Sequence, residues 1–297
     1  MSAYESLMKR IKNGERILID GATGTEVQLR GVPLLEHAWN GGGALTHPEV
    51  VRSVHEDYIR HGAEIIISNT FGNSFHALED AGMADKFDFF NRRGVELAVE
   101  VRESLAKPNV LVAGGITHWS WTGRHPGLQQ LGAKVAQQAQ IMAEAGADLI
   151  MLEMMAFIDR TRVLIEASLA SGLPVWVGVS CKKDYSGNIV LQEGELLADM
   201  IEVIKEYDIP LVSIMHTEVE DIDDCLDVLM KNWQGAVGVY AHSGKWDGDN
   251  IIYNSMISPL DYAEASKRWL GRGVQVIGGC CGIGPDHIHS LAAIMST

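Results

Sequence analysis

The sequence predicts a single α/β domain, a closed (β/α)8 (TIM) barrel over residues 1–297. Three observations predict it. Short apolar strands alternate with amphipathic helical segments eight times, with no linker or repeat dividing the run. Polar or sulfur-bearing residues follow the strands, which puts candidate chemistry on one rim. The G-x-G-x-x-G fingerprint of an open dinucleotide fold is missing after the first strand.

Taken in order, Ile17–Asp20 reads as strand one and runs into Gly21-Ala-Thr-Gly-Thr25. A polar, glycine-rich connection through Trp39 and Gly41–Gly43 leads to a helix opened by Pro48, with Val51, Val54 and Tyr58 on one face. Strand two, Glu64–Ser68, ends in Asn69-Thr-Phe-Gly72. A helix over 87–105 precedes strand three, Val110–Ala113, which ends in Gly114-Gly115. The loop after it, 117–126, carries Trp119 and Trp121. A helix over 129–145 leads to strand four, Asp148–Leu152, ending on Glu153.

Helix 158–170 precedes strand five, Pro174–Val179, which ends at Ser180-Cys181. Leu197, Met200, Ile201 and Ile204 then recur at helical spacing. Strand six, Leu211–Met215, ends on His216, and Ile222, Cys225, Leu226 and Leu229 mark its helix. Strand seven, Ala236–Val239, ends in Tyr240-Ala-His-Ser-Gly244. A long loop and a helix near 258–270 lead to strand eight, Val274–Ile277, and to Gly278-Gly-Cys-Cys-Gly-Ile-Gly-Pro285. Pro285 opens a last helix with Ile288, Leu291, Ala292 and Met295 on one face. Continuous apolar strands joined by helices imply a parallel sheet covered on its far side.

Composition narrows the function. A formal charge of -15 with no basic block excludes a nucleic-acid partner, because phosphate binding needs concentrated positive charge. No apolar run approaches the roughly 18 residues of a membrane span. The opening Met-Ser-Ala-Tyr-Glu-Ser-Leu-Met-Lys-Arg has no apolar signal core. A cytoplasmic protein with no membrane partner is expected. Four cysteines in 297 residues are no disulfide scaffold. None of these features bears on oligomeric state.

The expected rim gathers Asp20, Asn69, Thr70, Gly115, Glu153, Cys181, His216, Tyr240, His242, Cys280 and Cys281. The adjacent Cys280 and Cys281 have three readings: a coincidence in a glycine-rich turn, a vicinal disulfide, or two thiolate ligands for a soft metal. With His216 they would supply three of the ligands that tetrahedral zinc sites use; alone, His216 reads as an ordinary loop histidine. Cys225 lies in an apolar helical stripe and reads as core. Cys181 reads as a small strand-end residue, with reserve ligand as the second reading. Asp20 and Glu153 suit a substrate ammonium or acid–base work, or a turn and a helix cap. Trp119 and Trp121 suit an onium cation, or are scattered surface aromatics.

Asp20-Gly-Ala-Thr-Gly-Thr-Glu26, Arg30-Gly31, His55-Glu-Asp-Tyr58, Asn69-Thr-Phe-Gly72 and Gly278-Gly-Cys-Cys-Gly-Ile-Gly-Pro285 occur in this order. Together they resemble the homocysteine S-methyltransferase family over nearly the whole chain. The resemblance implies a Zn2+ barrel that methylates the sulfur of homocysteine to give methionine, with Cys280 and Cys281 as metal ligands. By the same match, Asp20 and Glu153 hold the amino acid's ammonium end. Gly21, Asn69, Thr70, Phe71, Tyr240 and His242 are further candidate substrate contacts. The expected partners are a small-molecule thiol and a small onium methyl donor, such as S-methylmethionine or betaine, with Trp119 and Trp121 at the donor pocket.

Two departures stand out. Met215-His216 replaces the family's usual Asn-Cys pair, and Ala241-His-Ser-Gly244 replaces its Pro-Asn-Ala-Gly. A His/Cys/Cys set carries one negative charge fewer than three cysteines, so a bound thiolate is expected to be held more tightly and to be less electron-rich. Another acceptor, or metal-assisted hydrolysis or lyase chemistry in the same barrel, is the alternative.

Overall fold

The computed structural model describes residues 1–247, 250–252 and 256–295. Eight parallel strands form the central sheet: β1 Ile17–Leu18, β2 Ile65–Ile67, β3 Leu111–Ile116, β4 Leu149–Met155, β5 Val175–Lys183, β6 Leu211–Glu218, β7 Ala236–His242 and β8 Val276–Ile277. In space they run β1-β8-β7-β6-β5-β4-β3-β2. The sheet curls until its two edge strands meet at a parallel bridge between Ile19 and Ile65. There Glu64 N donates to Leu18 O at 2.8 Å and Asp20 N to Ile65 O at 3.0 Å. The result is an α/β fold whose sheet is nearly closed into a barrel.

Period-two alternation divides the core in two. Ile65 and Ile67 join Ile17, Ile19, Leu111, Leu149, Met151 and Trp176 in an inner cluster, whereas Ile66, Val112 and Ile150 belong to an outer cluster shared with the helices. Helix Ala3–Lys12, opened by a Ser2/Glu5 capping box, adds Leu7 and Ile11 to the inner cluster. Trp176 Nε1 donates to Tyr4 Oη at 3.1 Å, so this helix plugs the end of the barrel where the strands begin. The N-terminal helix has no counterpart among the sequence expectations, and neither do helices Thr23–Leu29 and Phe75–Asp80.

Several strands run on past their expected ends. Gly114 and Gly115 lie inside β3, and Glu153, His216 and His242 lie inside β4, β6 and β7. Bulges explain two of the extensions, with pairing shifting between Leu152 and Met155 and between Met215 and Glu218. A bulge interrupts hydrophobic alternation, so the pattern ends before the strand does. Beyond the rim, Ile189–Leu191 pairs antiparallel with Cys181–Lys183, and Lys245–Asp247 with Asn250–Ile252. Among the described residues, no helix is long and apolar enough to cross a membrane.

Candidate metal centre and substrate cavity

His216 and the cysteine pair come from strands separated by β7, and local backbone devices bring them together. At the β6 bulge His216 takes φ 41°, in the left-handed region that non-glycine residues rarely occupy. Its carbonyl accepts a hydrogen bond from Ser180 Oγ at 2.7 Å. After β8 the chain packs too closely for side chains: a Cβ on Gly278 would lie 2.6 Å from Asp20 O, and one on Gly279 2.1 Å from Ile283. Gly279 N donates to Asp20 O at 3.0 Å and Cys280 N to Ala241 O at 2.8 Å, which fixes the turn between β1 and β7.

His216 Nδ1 lies 3.4 Å from Cys280 Sγ, and the two sulfurs are 4.0 Å apart and unbonded. The three ligand atoms all lie within 4.8 Å of one another. Zinc bond lengths imply tetrahedral edges of roughly 3.6 Å for N–S and roughly 3.8 Å for S–S. The donor set therefore fits one tetrahedral ion. Among the described residues no other group of three His, Cys, Asp or Glu side chains is so arranged.

The electrostatics single out one sulfur. The hydrogen bond from Cys280, together with the charges of His216 and His242, pulls the Cys281 thiol well below its usual range. Donating that bond, with burial added, pushes Cys280 well up. The His242 ring stands 4.4 Å from that of His216, and its Nε2 is 3.1 Å from Glu218 Oε1. Burial is the largest single influence on His242 and depresses it, but the hydrogen bond and charge of Glu218 together with the charge of Cys281 leave the imidazole raised above its ordinary value. Burial also lifts the Glu153 carboxyl to about 8, with the charge of Cys281 adding to the rise. Asp20 is raised well above the carboxylate range by burial, against the hydrogen bond that Ile67 N donates to its Oδ2 at 2.7 Å. Its Oδ1 has no partner.

A cavity of about 900 Å³ opens above these groups. Gly21, Asn69, Phe71, Trp119, Trp121, Glu153, Tyr240 and His242 line it together with His216, Cys280 and Cys281. Asp20 and Thr70 are buried outside the lining, and Thr70 Oγ1 donates to Gly115 O at 2.8 Å. Cys181 reaches the lining but stays out of the metal cluster, and Cys225 is buried in the outer core.

One wall is aromatic. Phe71 meets Trp39 edge-on at 6.2 Å and Trp121 at 5.9 Å. Trp39 packs against Gly24, where a Cβ would lie 2.4 Å from its ring. The sequence reading missed Trp39, whose only signal is one aromatic beside Gly41–Gly43, and missed Met154, Met215 and Glu218. Met154 and Glu218 sit at the bulges, where strand periodicity gives no guide.

The sequence profile of the homocysteine S-methyltransferase family matches residues 17–295. The chain belongs to that family. It is a homocysteine-methyltransferase-like enzyme with a candidate His/Cys/Cys metal site. Among curated relatives, homocysteine S-methyltransferase YbgG of Bacillus subtilis is 23% identical, covering 93% of both chains. Homocysteine S-methyltransferase 1 of Zea mays is 25% identical over 99% of this chain and 98% of its own. The selenocysteine methyltransferase of Astragalus bisulcatus is 25% identical over 96% and 94%. The metallated form of the homocysteine methyltransferase MmuM from Escherichia coli shares the fold, with a TM-score of 0.79 at 23% identity over 94% of this chain and 96% of that one.

Proposed function

We propose that the protein is a zinc-dependent S-methyltransferase that moves a methyl group from a small onium donor, such as S-methylmethionine or betaine, to the sulfur of homocysteine, giving methionine. The observation that carries this reading is the His216/Cys280/Cys281 cluster at the floor of a cavity with an aromatic wall. MmuM of Escherichia coli, a homocysteine methyltransferase by name, supports it with a metallated form.

His216, Cys280 and Cys281 would hold the ion. Zinc, when bound there, supplies the positive charge that makes a neighbouring thiol ionise near neutral pH. Glu153, facing the cavity, takes the substrate's ammonium group and gives up its proton as the cation arrives; Asp20 lends a second buried carboxyl behind it. Gly21, Asn69 and Tyr240 line the remainder of the amino-acid pocket, with Thr70 buried outside the lining, and His242 stands beside the ligand His216. Trp119, Trp121, Phe71 and Trp39 face the onium donor, whose positive charge suits aromatic faces.

In the transfer the donor's carbon–onium bond breaks as a sulfur–carbon bond forms. The donor leaves as a neutral sulfide or amine, and the thiol proton passes to solvent. A neutral imidazole in the donor set leaves the acceptor sulfur less electron-rich than three thiolates would. We read residues 1–297 as one such domain acting in the cytoplasm. Purified protein is expected to carry about one zinc per chain and to form methionine from homocysteine with at least one onium donor, followed by mass spectrometry. Zinc present with no thiol methylation by any donor rejects the reading.

A further inference from the structure

The motif that follows the cysteines ends in Pro285-Asp-His287, and the metal reading leaves this histidine without a role. His287 is 7% exposed, and both ring nitrogens are engaged. Gly284 N donates to Nδ1 at 3.2 Å, and Nε2 lies 2.9 Å from Ile257 O. An amide N–H only donates and a carbonyl only accepts. The neutral ring with its proton on Nε2 is therefore the one form that satisfies both partners. Burial, which holds the imidazole below its ordinary value, favours that neutral form.

The contacts continue in a circuit. Ile257 N donates to Ser243 Oγ at 2.7 Å, and Ser243 N donates to Cys281 O at 2.9 Å. A path that leaves the cysteine turn at Gly284 thus returns to it at Cys281. Helix Pro259–Gly271, which begins just after Ile257, grips the other end of the turn: Tyr262 Oη donates to Gly278 O at 2.7 Å, with its ring edge-on to His287 at 5.9 Å. Inside the circuit there is no slack. Gly282 holds φ 77°, and a Cβ there would lie 2.0 Å from Ser243 O.

We propose that His287 is a positioning residue for the metal turn, tying Gly284 to Ile257 and, through Ser243, holding Cys281 at its distance from Cys280 and His216. It touches neither metal nor substrate. Its work is to keep two sulfurs on a glycine-rich segment in ligand geometry, much as the groups behind metal ligands do elsewhere, where their loss costs roughly 10–100-fold in metal affinity. The inference rests on the metal reading above.

The test measures zinc affinity of the full chain by competition with a chromophoric chelator, and the visible band of the cobalt-substituted protein. His287→Leu, which can contact neither partner, is expected to bind zinc about 10-fold or more weakly and to shift the cobalt band. His287→Asn keeps an acceptor for Gly284 N–H and is expected to lose less. Ser243→Ala cuts the circuit at another point, is expected to weaken zinc in the same sense, and decides the matter if His287→Leu does not fold. A folded His287→Leu or Ser243→Ala protein with wild-type zinc affinity and an unmoved cobalt band overturns the role of His287 alone. Wild-type protein that binds no zinc overturns the metal reading and this inference with it.

Discussion

His216 Nδ1 and Cys280 Sγ stand 3.4 Å apart across the rim, although β7 separates the strands that carry them. The bulge at Met215–Glu218 and the left-handed backbone of His216 are the local irregularities at this contact. Strained backbone kept at such a point is expected where surrounding contacts over-determine it, and here Ser180 and His242 do so.

Removing the imidazole removes a third of the donor set. Structural zinc sites gain about 10–16 kcal/mol from four ligands, so one ligand is worth roughly 3 kcal/mol, or about 100-fold in affinity. His216→Ala is expected to lose zinc by about that factor. His216→Cys restores a thiolate and is expected to retain zinc while raising the methylation rate, since the added charge makes the acceptor sulfur more electron-rich. Chelator competition measures the first, and single-turnover methylation the second. Wild-type zinc affinity in His216→Ala would remove the histidine from the ligand set.

Glu153 makes the metal-free protein sensitive to alkali. Its carboxyl titrates at about 8 in the fold against an ordinary value of 4.5. Between those values the folded state keeps the proton that the unfolded state has released, so stability is full below the lower value and falls as pH rises through the upper one. The loss is of order 3–5 kcal/mol. Glu153→Gln carries no such proton. Denaturant melts of the metal-free protein from pH 5 to 9 are expected to show a falling stability that the variant flattens. Parallel curves for the two proteins would count against a buried neutral carboxyl.

Much of this architecture is legible in the residues. Apolar runs such as Ile65–Ile67 are buried on both faces, and the glycines around Cys280 and Cys281 permit the close packing that a turn between two strands needs. What the sequence hides is local irregularity. Glu153 and His216 read as residues just beyond their strands, because a bulge breaks the two-residue period that marks a strand; His242 is the last residue of β7, where a polar side chain ends the apolar run. Trp39 is held in the wall by contacts with Gly24 and Phe71 and by the hydrogen bond it donates to Gln28, all well separated from it in the chain. Pairing at such range leaves no periodic trace. Glu218 shows the same limit, since its contact with His242 depends on the shifted register of β6 against β7.

On the proposed function, the aromatic wall serves the donor and the metal end of the cavity serves the acceptor. Trp121 lies edge-on to Phe71 at the cavity, away from the cysteine turn in the chain. A cation over an aromatic face is worth about 0.5–2 kcal/mol, or roughly 2–30-fold in affinity. Trp121→Ala is expected to raise the KM of the onium donor by a factor in that range while leaving the KM of the thiol unchanged. Steady-state kinetics with each substrate varied in turn separates the two. Equal rises in both constants would place Trp121 in general packing instead.

His55 contributes to the acid limb. It is fully buried, burial lowers its titration to about 4, and neither ring nitrogen has a partner. The folded state keeps it neutral where the unfolded chain, with an ordinary histidine value of 6.5, takes up a proton. Stability from this residue is therefore present above pH 6.5 and lost as pH falls toward 4, a difference of roughly 3 kcal/mol. His55→Leu removes both the titration and two buried polar atoms that make no hydrogen bond, so it is expected to be near neutral at pH 8 and more stable than wild type at pH 5. Carboxylates that titrate in the same window contribute equally to both proteins, and the difference between their pH–stability curves isolates the imidazole. Curves that stay parallel from pH 8 to 5 would mean that His55 finds a partner for its proton inside the fold.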